Sequence, residues 1–503
     1  MVKLSRREWL RGAAAGATLG ALGVGVPRLG HALSNTRPNA SRKKVLEIFM
    51  AGGLSHRETL WVEDPDVSPV WRKITNKAWD QLLAAGAPSG VSLPRTLDRG
   101  TYLVGKETVR DHAKKTISTG KEVYLGPCGS VLQGTPLWSS MRLVSLGHDL
   151  TPHGPAQSLA CTGLPDGRGR QAGTGTVIKR LHGSNAMTSF AITVAAGTSG
   201  PAFLSQLRVG EHSHQNRPLV VPLASPTFLQ NLNRSRTTAQ DRLSQYYKDE
   251  YVQALTFNGT ADRARSRSFD AYAASLSDTL NAATLQKALQ KASFTYPTNQ
   301  GVWSTYATQS VRIAATLLQD SRCMHASVTD YGANANYDSH FPNPKTFEQH
   351  ALDCTSNVIS LLWTLVDLVA KKILDLKNTL IVVHSEFGRI RDVAKQIGTN
   401  HWSRGYAALL FGGGLTDRKV LGSMAFDASE LPKDAYGGRA AGGFDTNTGF
   451  VPADLRAAIL YAAGVLPFHH SVFQVDETSL KNIPGITSIG DAETLLVSRF
   501  FGP

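Results

Sequence analysis

The side chains with the most chemical potential in this chain gather in its C-terminal third, at the ends of hydrophobic runs. Tyr337-Asp338-Ser339-His340 follows the apolar stretch from Cys323 to Val328. Glu386 closes the run Leu380-Ile381-Val382-Val383-His384-Ser385, and Asn400-His401-Trp402 comes next. Carboxylates and imidazoles are the donors that hard-to-borderline divalent cations select, with zinc, calcium and manganese all compatible. In an open α/β sheet, ligands bind beyond the carboxyl ends of the strands. The pattern predicts a metal-assisted hydrolase. Taken alone, Asp338 and His340 read equally well as a turn cap and a surface imidazole.

Elements that could position such a site are legible on both sides of it. Lys44 to Met50 reads as a buried first strand, followed by the turn Ala51-Gly52-Gly53-Leu54-Ser55-His56. Leu380 to His384 and Tyr406 to Phe411 are two further strands ending in polar or Gly-rich turns, with helical stretches between. That alternation predicts an α/β chain with a mostly parallel sheet flanked by helices. Residues 238–320 read almost entirely as helix, with Leu243, Tyr246, Tyr247 and Tyr251 forming a partial apolar face, and are assigned to a helical insertion or cap. A long amphipathic helix is predicted from Thr346 to Lys372, and a terminal one from Pro452 to Gly464, with Pro first and Gly last. The stretch Gly437 to Gly449 reads as a mobile surface loop.

The first residues are an address rather than a fold. Arg6-Arg7 precedes the uncharged stretch Gly12 to Val26, and Gly30-His31-Ala32 offers small residues for cleavage. This is the architecture of a twin-arginine export signal, here residues 1–32, and it places residues 33–503 in the periplasm or outside the cell. Its apolar part is short of the roughly 20 residues that span a bilayer, and no later segment reads as a span. The chain carries a net charge of +14, and the signal holds five basic residues against one acidic, so cleavage leaves about +10. That charge suits an anionic substrate, small or polymer-linked. Nucleic-acid binding is excluded for want of any zinc-finger or aromatic-basic signature. Cys128, Cys161, Cys323 and Cys354 allow three disulfide pairings, while Cys161 and Cys323 sit in apolar runs that suit buried thiols.

A wider resemblance joins these pieces. Phe49 to His56, His148 to Gly163, Tyr337-Asp338-Ser339-His340, Ser385-Glu386-Phe387-Gly388-Arg389, His401-Trp402 and Asp454 to Leu460 resemble, in order, the domain-of-unknown-function family 1501. That family is assigned to the alkaline phosphatase and sulfatase superfamily. The resemblance implies a doubly wound α/β fold, divalent metal at the carboxyl edge of the sheet, and attack on phosphate or sulfate esters. By position it implies Asp338 and His340 as one ligand group, Glu386 as the strand-end acid and His401 as the last histidine. Where the superfamily supplies an acid after the first strand, this chain has Ala51-Gly52-Gly53, with His56 or Glu58 as stand-ins. Phe387 replaces a frequent ligand His, and Asn400 an acid. Counting back from Thr162-Gly163, His153 occupies the nucleophile's place. As the first residue of a helix it can attack, bind metal or merely cap. Arg389 can grip an oxyanion or form an ordinary ion pair. An envelope binding or assembly protein that keeps the fold without the chemistry is the rival reading.

Overall fold

Both faces of the segment Lys44–Met50 are apolar except at its first residue, Lys44, and at Glu47, the pattern of a strand covered on two sides. In the computed structural model it is the strand β1, buried almost throughout. The structure describes residues 42–61, 80, 84, 102–110, 116–164, 173–182, 189–193, 219–222, 246, 306–321, 323–330, 337–339, 346–391, 398–425, 438–445, 448–468 and 475–502. The export segment, most of the predicted insertion and His340 lie outside them, as does the side chain of Glu58.

In chain order the elements are β1 (Lys44–Met50), α1 (His56–Thr59), β2 (Leu103–Arg110), β3 (Thr116–Tyr124), α2 (Pro136–Ser139), β4 (Met141–Leu146), α3 (His153–Thr162), α4 (Thr174–His182), β5 (Ser189–Thr193) and β6 (Leu219–Pro222). There follow α5 (Tyr306–Gln319), β7 (His325–Asp330), α6 (Phe347–Ala370), β8 (Thr379–Ser385), β9 (Gly388–Arg391), β10 (Thr399–Trp402) and β11 (Tyr406–Gly412). The chain closes with β12 (Lys419–Leu421), β13 (Ser423–Ala425), β14 (Arg439–Ala441), α7 (Pro452–Ala462) and α8 (Ile489–Phe500).

Ten strands form one sheet in the order β3-β2-β12-β4-β11-β8-β1-β7-β5-β6. The sheet is mostly parallel, as predicted, with two exceptions. β3 runs against β2, and β11 runs against both its neighbours, β4 and β8. Tyr406, the first residue of β11, therefore pairs with Leu146, the last of β4. The ends of β4, β8, β1 and β7 and the start of β11 meet along one edge, where the predicted site residues lie.

Side-chain alternation divides the core. Leu46, Ile48, Ile381, Val383, Ala326 and Val328 face α5 and α6, whereas Val45, Leu380, Val382 and Val144 face α4, α7 and α8. By composition α6 is long and apolar enough to cross a membrane, which the sequence reading missed, yet its span Gln349–Ala370 is 71% buried within the protein and supplies one of these cores. All four cysteines are buried free thiols. The stretch read as a mobile loop instead holds β14, paired with β13, and contributes buried Phe444. Its glycines serve close packing: a Cβ on Gly449 would lie 2.5 Å from Ala440, and one on Gly442 2.2 Å from Val109.

Candidate metal centre

Three turns at the shared edge and one hairpin assemble the site. The β4–α3 connection delivers His153 as the first residue of α3, a helix entered through Pro152 and closed by Gly163 at φ +77°, whose N–H donates to the carbonyl of Leu159. Beyond β7 the chain returns with Tyr337 buried and its hydroxyl donating to Asp330 at 2.5 Å, which sets Asp338 beside the end of β1. Glu386 follows β8 directly. The hairpin of β9 and β10 then pairs His401 with Arg389 across the ladder, and directly opposed residues share a face at contact distance.

His153 lies at the centre. Its Nδ1 is 2.9 Å from Glu386 Oε1 and its Nε2 is 3.0 Å from Asp338 Oδ2. The ring of His401 meets that of His153 edge-on, with centroids 4.4 Å apart. Donor atoms of His153, Asp338 and His401 all fall within 4.8 Å of one another. Burial alone would lower the imidazole of His153, but hydrogen bonds to Asp338 and Glu386 override it and raise the group to about 9. The protein without metal thus holds a protonated imidazole between two carboxylates. Burial likewise pushes the Glu386 carboxyl up, and His153 overcomes this to hold it below its ordinary value.

Exposure separates the roles open to these groups. The side chains of His153 and Asp338 are 27% and 19% exposed, whereas Glu386 is fully buried. Glu386 Oε1 also accepts from the Gly52 N–H at 2.8 Å, and its own carbonyl accepts from His148 Nε2 at 2.6 Å. The proton of His148 is on Nε2, because Nδ1 accepts from the Leu150 N–H. Burial depresses this imidazole and keeps it neutral. Arg389 is buried; its Nη2 lies 2.8 Å from Asp338 Oδ1 and its Nε donates to the Gly52 carbonyl at 2.7 Å. The Nε and Nη2 edge of the guanidinium is thus occupied by Gly52 and Asp338, while its buried Nη1 has no hydrogen-bond partner among the described residues.

The two glycines after β1 explain why no acid stands there. Gly52 and Gly53 have φ of +111° and +88°, and a Cβ on Gly53 would lie 2.6 Å from Phe387 and 2.8 Å from Arg389 Nε. Phe387 in turn packs on His401 and His153, with centroids 4.6 and 4.9 Å away. Aromatic ring and guanidinium fill that ground.

Of the predicted residues, the structure brings together His153, Asp338, Glu386, Arg389 and His401. His56 is buried at the start of α1 with its Nδ1 2.7 Å from where a Gly388 Cβ would stand, next to Phe387 and Arg389, and is not one of the three grouped donors. His148 and Gln157, whose Nε2 is 3.5 Å from Glu386 Oε1, went unassigned in the sequence. His148 follows β4 as Glu386 follows β8, so a strand-end search would have found it had β4 been read as a strand.

The chain belongs to the family described as "Protein of unknown function (DUF1501)", which it matches over residues 42–436. No curated protein matches it in sequence. Among solved structures it is similar to the alkaline phosphatase from the Antarctic bacterium TAB5, at 9% identity and TM-score 0.30 over 75% of this chain and 94% of that one. It is also similar to the lipoteichoic acid synthase LtaP from Listeria monocytogenes, at 8% identity and TM-score 0.34 over 89% of this chain and 80% of that one. A third such structure is the PsFucS1 sulfatase from Pseudoalteromonas sp., at 11% identity and TM-score 0.31 over 93% and 74%.

Proposed function

We propose that this DUF1501 protein is an exported hydrolase of phosphate or sulfate esters that works with one divalent cation held by His153, Asp338 and His401. The observation that carries the reading is the carboxylate–imidazole arrangement at His153. Glu386 fixes the ring through Nδ1, so Nε2 is left to face Asp338 and His401, with Arg389 Nη2 3.3 Å away. Ligating histidines ordinarily gain their orientation and basicity from such an outer carboxylate. Two imidazoles and one carboxylate also form the donor set that leaves a coordination position open for water or substrate. A separation of no more than 4.8 Å between donors suits ligation at about 2.0–2.2 Å after small side-chain adjustment.

A cation bound there would act as a Lewis acid toward an ester oxygen. The chain's own residues supply the rest. Glu386 and His148 form a buried scaffold that keeps the His153 ring in one orientation. Arg389 anchors Asp338 to the Gly52 carbonyl and adds fixed positive charge beside the place where an anionic ester would sit. Phe387 closes the floor with an apolar ring, which excludes water from the buried side. His340 and Glu58 remain proposed ligands. Export by the twin-arginine route belongs to the same reading, because that route carries folded proteins with cofactors already loaded.

The test is turnover. Purified protein supplied with zinc, manganese or calcium should hydrolyse an aryl phosphate or aryl sulfate, and His153→Ala should abolish this while shifting the thermal midpoint by only a few degrees. If no ester is turned over with any of these metals, and the variant loses only stability, the protein is a binding or assembly factor.

A further inference from the structure

A second buried ionic cluster lies below the site and takes no part in the chemistry proposed above. Glu47 in the middle of β1 is fully buried, and its carboxylate meets three partners. They are His325 Nε2 at 3.1 Å, His384 Nε2 at 3.0 Å and Arg456 Nη1 of α7 at 2.6 Å. Arg456 is itself buried and spends every nitrogen. Its Nη1 also donates to Thr174 Oγ1 at 2.7 Å, its Nη2 lies 3.0 Å from His384 Nε2, and its Nε donates to the carbonyl of Ala160.

The last contact links this cluster to the site. Ala160 is in the final turn of α3, where carbonyls lack helical partners and a cation is favourable. The buried residues of α3 are Ala156, Ser158, Leu159, Ala160, Cys161 and Thr162, all small except Leu159. With Leu159 the one large side chain among them, apolar contact offers little relief to resist sliding and holds the axial position of this helix only weakly. At its other end stands His153, on a rod of ten residues about 15 Å long, stiff enough to pass a shift from one end to the other. At a starting distance of 2.9 Å, a displacement of about 1 Å breaks the hydrogen bond to Glu386.

We infer that Arg456, seated on Glu47, is the positioning residue for His153: it ties the C-terminal turn of α3 to β1 and β8 and so sets the distance between His153 and Glu386. Arg456 touches no substrate. It acts through the helix. The inference about the contact between His153 and Glu386 stands on geometry alone, and its consequence for metal binding rests on the proposed function.

Two variants and two readouts test this on the full chain. Arg456→Lys keeps a charge but cannot reach Ala160, Thr174 and His384 together. Glu47→Gln with Arg456→Met removes both buried charges at similar volume, a replacement that often preserves folding. The first readout uses metal-free, histidine-labelled protein. The Nδ1 proton of His153, held by Glu386, should exchange slowly with solvent in the wild type and at least tenfold faster in either variant. The second readout is calorimetric zinc affinity, which should fall about tenfold to a hundredfold, as loss of outer-shell support does elsewhere. A merely structural role would lower the unfolding midpoint and leave both readouts of the folded protein unchanged. That result in the double variant overturns the inference. If the wild type binds no zinc, the metal reading fails, and proton exchange still decides the role of Arg456.

Discussion

Gly53→Ala tests how tightly the end of β1 is built into the site. The added methyl group meets two costs. Gly53 has φ of +88°, a backbone region in which an L side chain is strained by about 1–2 kcal/mol. The new Cβ would also stand 2.6 Å from Phe387 and 2.8 Å from Arg389 Nε, closer than carbon and nitrogen can pack. Phe387 cannot yield easily, being fully buried against His153, His401 and the Arg389 guanidinium, 5.4 Å away. Overpacking of this kind costs about 1–3 kcal/mol, so the sum is about 2–5 kcal/mol of stability. Because the displaced groups line the centre, zinc affinity should fall with it. Gly120→Ala is the control: its φ is +83° but nothing lies within 4 Å of its Cβ, so only the backbone cost applies. Urea unfolding and zinc calorimetry on both variants measure the difference. If Gly53→Ala loses no more stability than Gly120→Ala and binds zinc as tightly as wild type, the packing argument is refuted.

Two further outcomes follow from other parts of the chain. Burial raises the Asp454 carboxyl from 3.8 to about 6 even though Ser479 and the Val451 N–H donate to it. Its folded value lies above its unfolded one, so its contribution is present below about pH 4 and lost as pH rises through about 6. Stability should therefore fall by about 1 kcal/mol between pH 5 and pH 7. Asp454→Asn should be less stable at pH 5 and lack that slope in urea unfolding at the two pH values. Replacing Arg6 and Arg7 by Lys should leave uncleaved precursor in the cytoplasm, visible by fractionation and immunoblotting. Normal processing of that variant would rule out the twin-arginine route.

Some of this structure could be read from local pattern. β1, β8 and β11 declare themselves because a strand covered on both faces must be apolar along its length, and β1 begins and ends where the sequence predicts. The long helix and α7 show capping and periodicity, which are also local signals. Strand direction is different. Tyr406 to Phe411 has the same composition whether it runs with or against β8, and only the hairpin that precedes it reverses the chain. The site was partly legible for the same reason: Asp338, Glu386 and His401 are chemically conspicuous at the ends of runs. What stayed hidden depends on contacts between distant segments. The sequence offers Arg389 as an anion clamp or an ordinary ion pair and does not show that Gly52 and Asp338 take its Nε and Nη2, and Arg456 is only an arginine in a helix until Glu47 and Ala160 arrive beside it. Glycine-rich composition misled outright at Gly442 and Gly449, where the absence of a side chain serves close packing.

The central claim is that one divalent cation sits among His153, Asp338 and His401, oriented from behind by Glu386. Its most direct test is the metal stoichiometry and affinity of the purified chain, measured by elemental analysis and zinc titration alongside Asp338→Asn and His401→Ala. One equivalent per chain in the wild type, with at least a hundredfold weaker binding in both variants and unfolding midpoints within a few degrees, is the predicted result. A wild-type chain that binds no divalent metal, or variants that bind it as tightly as wild type, would contradict the account.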